Sequence, residues 1–163
     1  MGDKKELILK AVTDGQVIPV TEVKDVVFSD KMIGDGYGVV PSSGAIYSPV
    51  SGQISQLAGS HHAYYIKLAD DNKILIHVGP DAILLNGQGL TSQVKQGDEV
   101  QAGDLLGTID LDYLKSKRPD LAISVVFLFN KDLDLNVEVY PQDQAQAKQS
   151  QACKISYQEL DNR

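Results

Sequence analysis

The sequence predicts an all-β fold, an antiparallel sandwich or barrel with short helical turns, and three observations support it. Apolar runs are short and alternating, and each is closed by turn residues. The 14 glycines fall mostly in turn-like dipeptides such as Asp14-Gly15, Asp35-Gly36, Ser43-Gly44, Ser51-Gly52 and Asn86-Gly87, which supply the positive φ that tight turns need. Only one stretch carries both the start and stop signals of a helix.

Taken in order, "ELILKAV" and "DGQVIPV" read as the first strands, followed by "DVVFSDKMIGDGYGVVP" and "SSGAIYSPVSGQISQLAGS". The segment "HAYYIKLADDNKILIHV" reads as a hairpin, because Asp and Asn in "ADDN" favour a turn between two apolar runs. "AILLNGQGL" reads as a further strand. "VKQGDEVQAGDLLGTID" then repeats a Gly-Asp dipeptide, at Gly97-Asp98 and Gly103-Asp104, within an alternating apolar pattern. The helix is "DLDYLKSKR", with Asp110 or Asp112 as N-cap, basic residues in its last turn and Pro119 as its stop. "PQDQAQAKQSQA" is glutamine-rich with few apolar anchors, so residues 140–152 read as an exposed loop or weakly ordered connection before a last strand, "CKISY".

Length and charge narrow the function classes. A chain of 163 residues, 42% hydrophobic, is enough for one core, so residues 1–163 are expected to form a single domain. No apolar run reaches membrane-spanning length and the start "MGDKKELILK" lacks a secretory signal, so the expected location is cytoplasmic, with no insertion in a membrane. The single cysteine, Cys153, excludes an intrachain disulfide and a cysteine-rich zinc site, and is expected to be a small, partly buried residue in a late strand. A net charge of −7, with no basic cluster beyond "KSKR", disfavours nucleic-acid binding.

All three histidines lie in or beside the hairpin: His61, His62 and His77. His62 and His77 stand directly opposite if the turn centres between Ala69 and Asp70. The turn signal centres one or two residues later, which makes the pairing diagonal or bulge-adjusted, with both rings still near the open end of the hairpin. Two adjacent imidazoles admit zinc binding, acid–base work, or a nucleophile with a partner. Zinc is weakly signalled, since only Asp81 or Asp35 is at hand to complete the ligand set. A serine-type hydrolase lacks its "GxSxG" elbow. A nucleophilic histidine needs a neutral ring, a neighbour that stabilises incoming negative charge and an orienting donor, a set that Ser60, His62 and His77 can supply. His61, which alternation sends to the face away from His62, reads as incidental.

"DVVFSDKMIGDGYGVVP", "IYSPVSGQI", "SHHAYYI" and "ILIHVGPDAILLNGQGL", in this order and spacing, resemble the glucose-type enzyme IIA family of the bacterial phosphoenolpyruvate-dependent sugar phosphotransferase system. The resemblance implies a β-sandwich of the duplicated hybrid motif type and a phosphoryl-relay function. It implies that His77 accepts a phosphoryl group from the phosphocarrier protein HPr and passes it to a cysteine of enzyme IIB. His62 matches the second active-site histidine, and Ser60 falls where the family often has a hydrogen-bonding threonine. Asp25 and Asp81 match acidic positions suited to an arginine of HPr, and Val26, Val27 and Phe28 match the apolar rim on which partners dock. No cofactor or metal is implied, because phosphoryl transfer between side chains is positioning plus charge stabilisation.

Three rival readings have their own discriminators. A mainly regulatory binding module that docks on transporters or metabolic enzymes shares the fold and differs in not passing the phosphoryl group onward. A biotin or lipoate carrier, suggested by the paired Gly-Asp turns, needs a lysine in a Met-Lys-Met-like context, and Lys73 lacks one. A zinc peptidase needs a His-x-His, and Gly79 stands where the second histidine belongs.

Overall fold

Why these residues form strands is visible in the pairings of a computed structural model, which describes residues 3–80 and 85–160. Every strand pair among the described residues is antiparallel. An eight-stranded sheet has the order β13-β2-β3-β11-β7-β6-β5-β9, built from Gln142–Ala145, Gly15–Pro19, Gly34–Pro41, Ala122–Leu128, Lys73–Gly79, Ala63–Lys67, Gly52–Leu57 and Glu99–Val100. The described residues also form two three-stranded sheets. One is β1-β14-β12 (Lys5–Lys10, Gln151–Glu159, Leu133–Val139), the other β4-β10-β8 (Ala45–Tyr47, Leu105–Ile109, Leu90–Ser92). The antiparallel β-sandwich class read from the sequence is the class observed.

One large apolar cluster joins all three sheets, drawing Val39, Ile54, Ile74 and Ile76 from the large sheet, Leu9 and Ile155 from one small sheet, and Ile46 and Leu106 from the other. A smaller cluster covers the opposite face of the large sheet: Val20, Val23, Phe28, Ala63, Leu75, Ala122 and Val126. Strand β7 shows the division residue by residue, with Ile74, Ile76 and Val78 in the large core and Leu75 in the small cluster. His77 therefore takes the Leu75 face, at the edge of the smaller cluster.

Several expectations need correction. "DVVF" is not strand: Val26–Ser29 forms a single helical turn, α1, whose N-cap Asp25 accepts a hydrogen bond from the Val27 N–H. The cap satisfies an otherwise orphaned donor, and burial of Phe28 anchors the turn, so local β-propensity is overridden. In "AILLNGQGL", residues 85–89 form turns with Asn86, Gly87 and Gly89 at positive φ, strand begins only at Leu90, and Ala82–Leu84 lie outside the described residues.

The glutamine-rich segment is exposed along most of its length but is not a bare loop. Gln142–Ala145 pairs with β2, Ala145 and Ala147 are buried, and Ala147 N–H donates to Asp14 Oδ1. Two alanines among the glutamines supply the apolar anchors, too small to register as a strand pattern.

Other details follow the sequence closely. The helix, α2, spans Leu111–Lys117, with Asp110 accepting from the Tyr113 N–H as its cap. The Gly-Asp dipeptides close the same turn twice: Asp98 Oδ2 accepts from Lys95 N–H, and Asp104 Oδ2 accepts from Gln101 N–H. Cys153 is fully buried in β14, where burial, with Asp35 adding, pushes its thiol up to about 12. Among the described residues no helix is long and apolar enough to cross a membrane.

Candidate functional site

Strand β7 holds His77 in the middle of the large sheet. Its cross-strand neighbours are Ala63 on β6 and Ser124 on β11, and the small size of both leaves lateral room for an imidazole. The ring is covered from one side by Phe28, with centroids 4.8 Å apart and a tilt of 39°. Phe28 is 3% exposed, held in the small cluster by Val20 and Val23. Gly38 on β3 lets this segment lie close to the sheet, since a Cβ there would come within 2.5 Å of Val23 Cγ2.

The hairpin register is the diagonal alternative: Ala63, not His62, opposes His77, and Val78 N–H donates to the His62 carbonyl. A strictly continued strand would then send the His62 side chain to the face away from His77. The chain leaves β6 at this point. His61 adopts φ 59, Ala58 and His61 are joined by a backbone hydrogen bond, and the His62 ring meets His77 with centroids 5.2 Å apart at 88°. Ser60 Oγ lies 2.5 Å from His62 Nδ1, which fixes the orientation of that ring.

Both rings are held neutral near pH 7. Burial lowers the His77 pKa to about 4, with the charge of His62 pushing the same way and Asp25 opposing. Burial also lowers the pKa of His62. A neutral imidazole keeps a lone pair, and a ring oriented through Nδ1 has its other nitrogen available as a donor. A nucleophile beside a hydrogen-bond donor, half-covered by an aromatic ring, suits attack on an electrophile that carries spread negative charge. Among the described residues no group of three or more His, Cys, Asp or Glu side chains is arranged to hold a metal ion.

Residues 7–133 match the model of the family described as phosphoenolpyruvate-dependent sugar phosphotransferase system, EIIA 1. The chain belongs to this family. The EIIA chain is 43% identical over 117 residues to a "PTS system glucose-specific EIICBA component" of Streptococcus pneumoniae, covering 72% of this chain and 16% of that protein. It is 38% identical over 133 residues to the component of the same name from Staphylococcus saprophyticus, covering 82% of this chain and 20% of that protein. It thus spans a fifth or less of the length of these two relatives. A "PTS system glucose-specific EIIA component" of Oceanobacillus iheyensis is 36% identical over 130 residues, with 80% of this chain and 78% of that protein covered. Among solved structures, the glucose permease IIA from Mycoplasma capricolum superposes with a TM-score of 0.83 at 33% identity, over 92% of this chain and 96% of the other.

In this EIIA chain the residues read as a partner rim separate by burial. Val26 is 60% exposed, Val27 is half-buried, and Phe28 points inward against His77. Phe28 is thus part of the wall of the site rather than its outer surface. Asp25 is half-buried, and one of its oxygens already caps α1. Asp81 lies outside the described residues. Met32, a few residues after α1, is likewise 62% exposed and had no distinguishing signal in the sequence. His61 is half-buried with Nδ1 2.9 Å from Ser92 Oγ, so its reading as incidental is incomplete.

Proposed function

We propose that this protein is a phosphoryl relay of the sugar phosphotransferase system, taking a phosphoryl group from HPr onto His77 and passing it to a cysteine of an enzyme IIB. The observation that supports this most directly is the edge-on pair His62/His77, with His77 kept neutral by burial. In the first step a ring nitrogen of His77 bonds to phosphorus as the phosphorus–nitrogen bond of phospho-HPr breaks. In the second, a thiolate sulfur bonds to phosphorus and His77 leaves. Both are in-line displacements that need position and charge stabilisation.

Each neighbour has a role in this reading. If the Ser60 hydroxyl donates to His62 Nδ1, His62 carries its proton on Nε2 and donates it to a phosphoryl oxygen. Phe28 restricts water at the phosphohistidine, and Val26 with Val27 offers apolar area to partners. Asp25, and Asp81 of the "HVGPD" stretch, are the acidic positions that would steer an arginine-bearing donor. The relatives named as EIICBA components support an enzyme IIB as acceptor, and in this reading the two meet in the cytoplasm.

Intact-mass spectrometry tests the reading. The chain is incubated at neutral pH with phosphoenolpyruvate, enzyme I and HPr, as wild type and as His77→Ala. One acid-labile phosphoryl group on the wild type and none on the variant is the expected result. If the wild type gains nothing while HPr is phosphorylated, the relay reading fails and a non-transferring binding module replaces it.

A further inference from the structure

Beside the imidazole pair lies a second hydrogen-bonded chain that the relay chemistry does not use. His61 Nδ1 is 2.9 Å from Ser92 Oγ, and the same oxygen is 3.0 Å from the Tyr64 hydroxyl. A Tyr64 O–H donating to Ser92, and a Ser92 O–H donating to His61 Nδ1, satisfies all three groups at once. We propose that His61 is a positioning residue of the site, holding the Ser60–His62 turn in the conformation that brings His62 to His77, with Ser92 and Tyr64 as its anchor. This rests on the reading of His62 as the second histidine of the relay.

The backbone part of the argument starts from register. His62 is placed by its pairing with Val78 to face away from His77, and only departure from the strand reverses that. The departure is made at His61, whose φ of 59 lies in the left-handed region. Histidine, with Asn and Asp, is among the non-glycine residues most enriched there, yet the conformation is still unfavourable and persists only where surroundings hold it. Here the surroundings are a backbone bond from His61 N–H to the Ala58 carbonyl and the side-chain bond to Ser92.

The anchor is rigid for its own reasons. Ser92 sits on β8 opposite Gly107 of β10, in a different sheet from the hairpin. Tyr64 is 2% exposed, and its hydroxyl occupies the space that a Cβ at Gly107 would need. The tyrosine thus reaches from β6 through the core to the Ser92–Gly107 pair, and His61 is tied to the same point from outside. A turn fixed at both ends positions Ser60 and His62 more tightly than its backbone bonds alone would.

The test combines imidazole nitrogen NMR with single-turnover transfer to an enzyme IIB. The variants are Ser92→Ala, His61→Asn, which tolerates positive φ but loses the ring, and Ser92→Thr, which keeps the hydroxyl. We expect Ser92→Ala and His61→Asn to shift the His62 ring nitrogens away from a single tautomer and to slow onward transfer about tenfold, with Ser92→Thr restoring both. Wild-type His62 signals and wild-type transfer in Ser92→Ala and His61→Asn would overturn the proposal. A folding defect is recognised separately, by loss of the hairpin amide pattern, and His61→Asn with intact amides then decides. Should the wild type not be phosphorylated at all, the relay reading fails, and the His62 spectra alone decide whether His61 positions that ring.

Discussion

The His62 ring stands edge-on to His77, centroids 5.2 Å apart at 88°, although the hairpin register opposes His77 to Ala63. The two rings are therefore held differently by their surroundings. His77 is held between strands and covered by Phe28, whereas His62 is held through Nδ1 by Ser60 and presents its other edge. For His62→Ala we expect His77 to accept a phosphoryl group still, and onward transfer to fall about a hundredfold, as for removal of one donor from a charge-stabilising pair. Unchanged transfer in rapid-quench measurements would remove His62 from the mechanism.

Ser60→Ala frees the His62 ring to rotate and to exchange tautomers, and we expect about a tenfold slower transfer with unchanged stability within about 1 kcal/mol. Ser60→Thr keeps the hydroxyl and restricts its rotamers, so it should transfer at least as fast as wild type. A Thr variant as slow as the Ala variant would show that the hydroxyl is not what matters.

The pH dependence has a defined sign. His77 titrates near 4 in the folded protein against 6.5 unfolded, so between these values the unfolded chain binds more protons. Stability from this group is fully present above about pH 6.5 and is lost as pH falls toward 4, an effect on the order of 2–3 kcal/mol. His77→Gln should flatten the stability profile in that window, measured by urea unfolding at a series of pH values. Asp70, whose carboxylate is bonded by Tyr157 and Lys5, has a lowered pKa and acts only at lower pH. A His77 ring that titrates near 6.5 by NMR would refute the account.

Phe28 links packing to chemistry. Its replacement by Ala removes a fully buried aromatic ring and should destabilise the protein by about 3 kcal/mol. It should also raise the His77 pKa toward its ordinary value, because water then reaches the ring. Phe28→Leu should recover most of the stability. If thermal unfolding shows the loss while the His77 titration stays near 4, Phe28 is structural only.

How far the site was legible in the sequence depends on the distance over which each feature is decided. The hairpin, the capped helix at Asp110 and the paired Gly-Asp turns follow from residues within a few positions of one another, and all were readable. The helical turn at Val26–Ser29 was not, because β-branched residues pointed to strand while the Asp25 cap and the burial of Phe28 favoured a turn of helix. The strand at Gln142–Ala145 was hidden because its anchors are two alanines, and its partner is more than a hundred residues away.

The sequence by itself determined a β-rich chain with two histidines at the open end of one hairpin, since alternation and turn chemistry act locally and set which strands pair. Only the tertiary structure decided that Phe28 covers His77, that both rings are neutral, and that His61 is tied to Ser92, 31 residues away. Burial and hydrogen bonding across sheets depend on how separate elements pack. No local pattern encodes that packing, and the chemistry of the imidazoles is set by it.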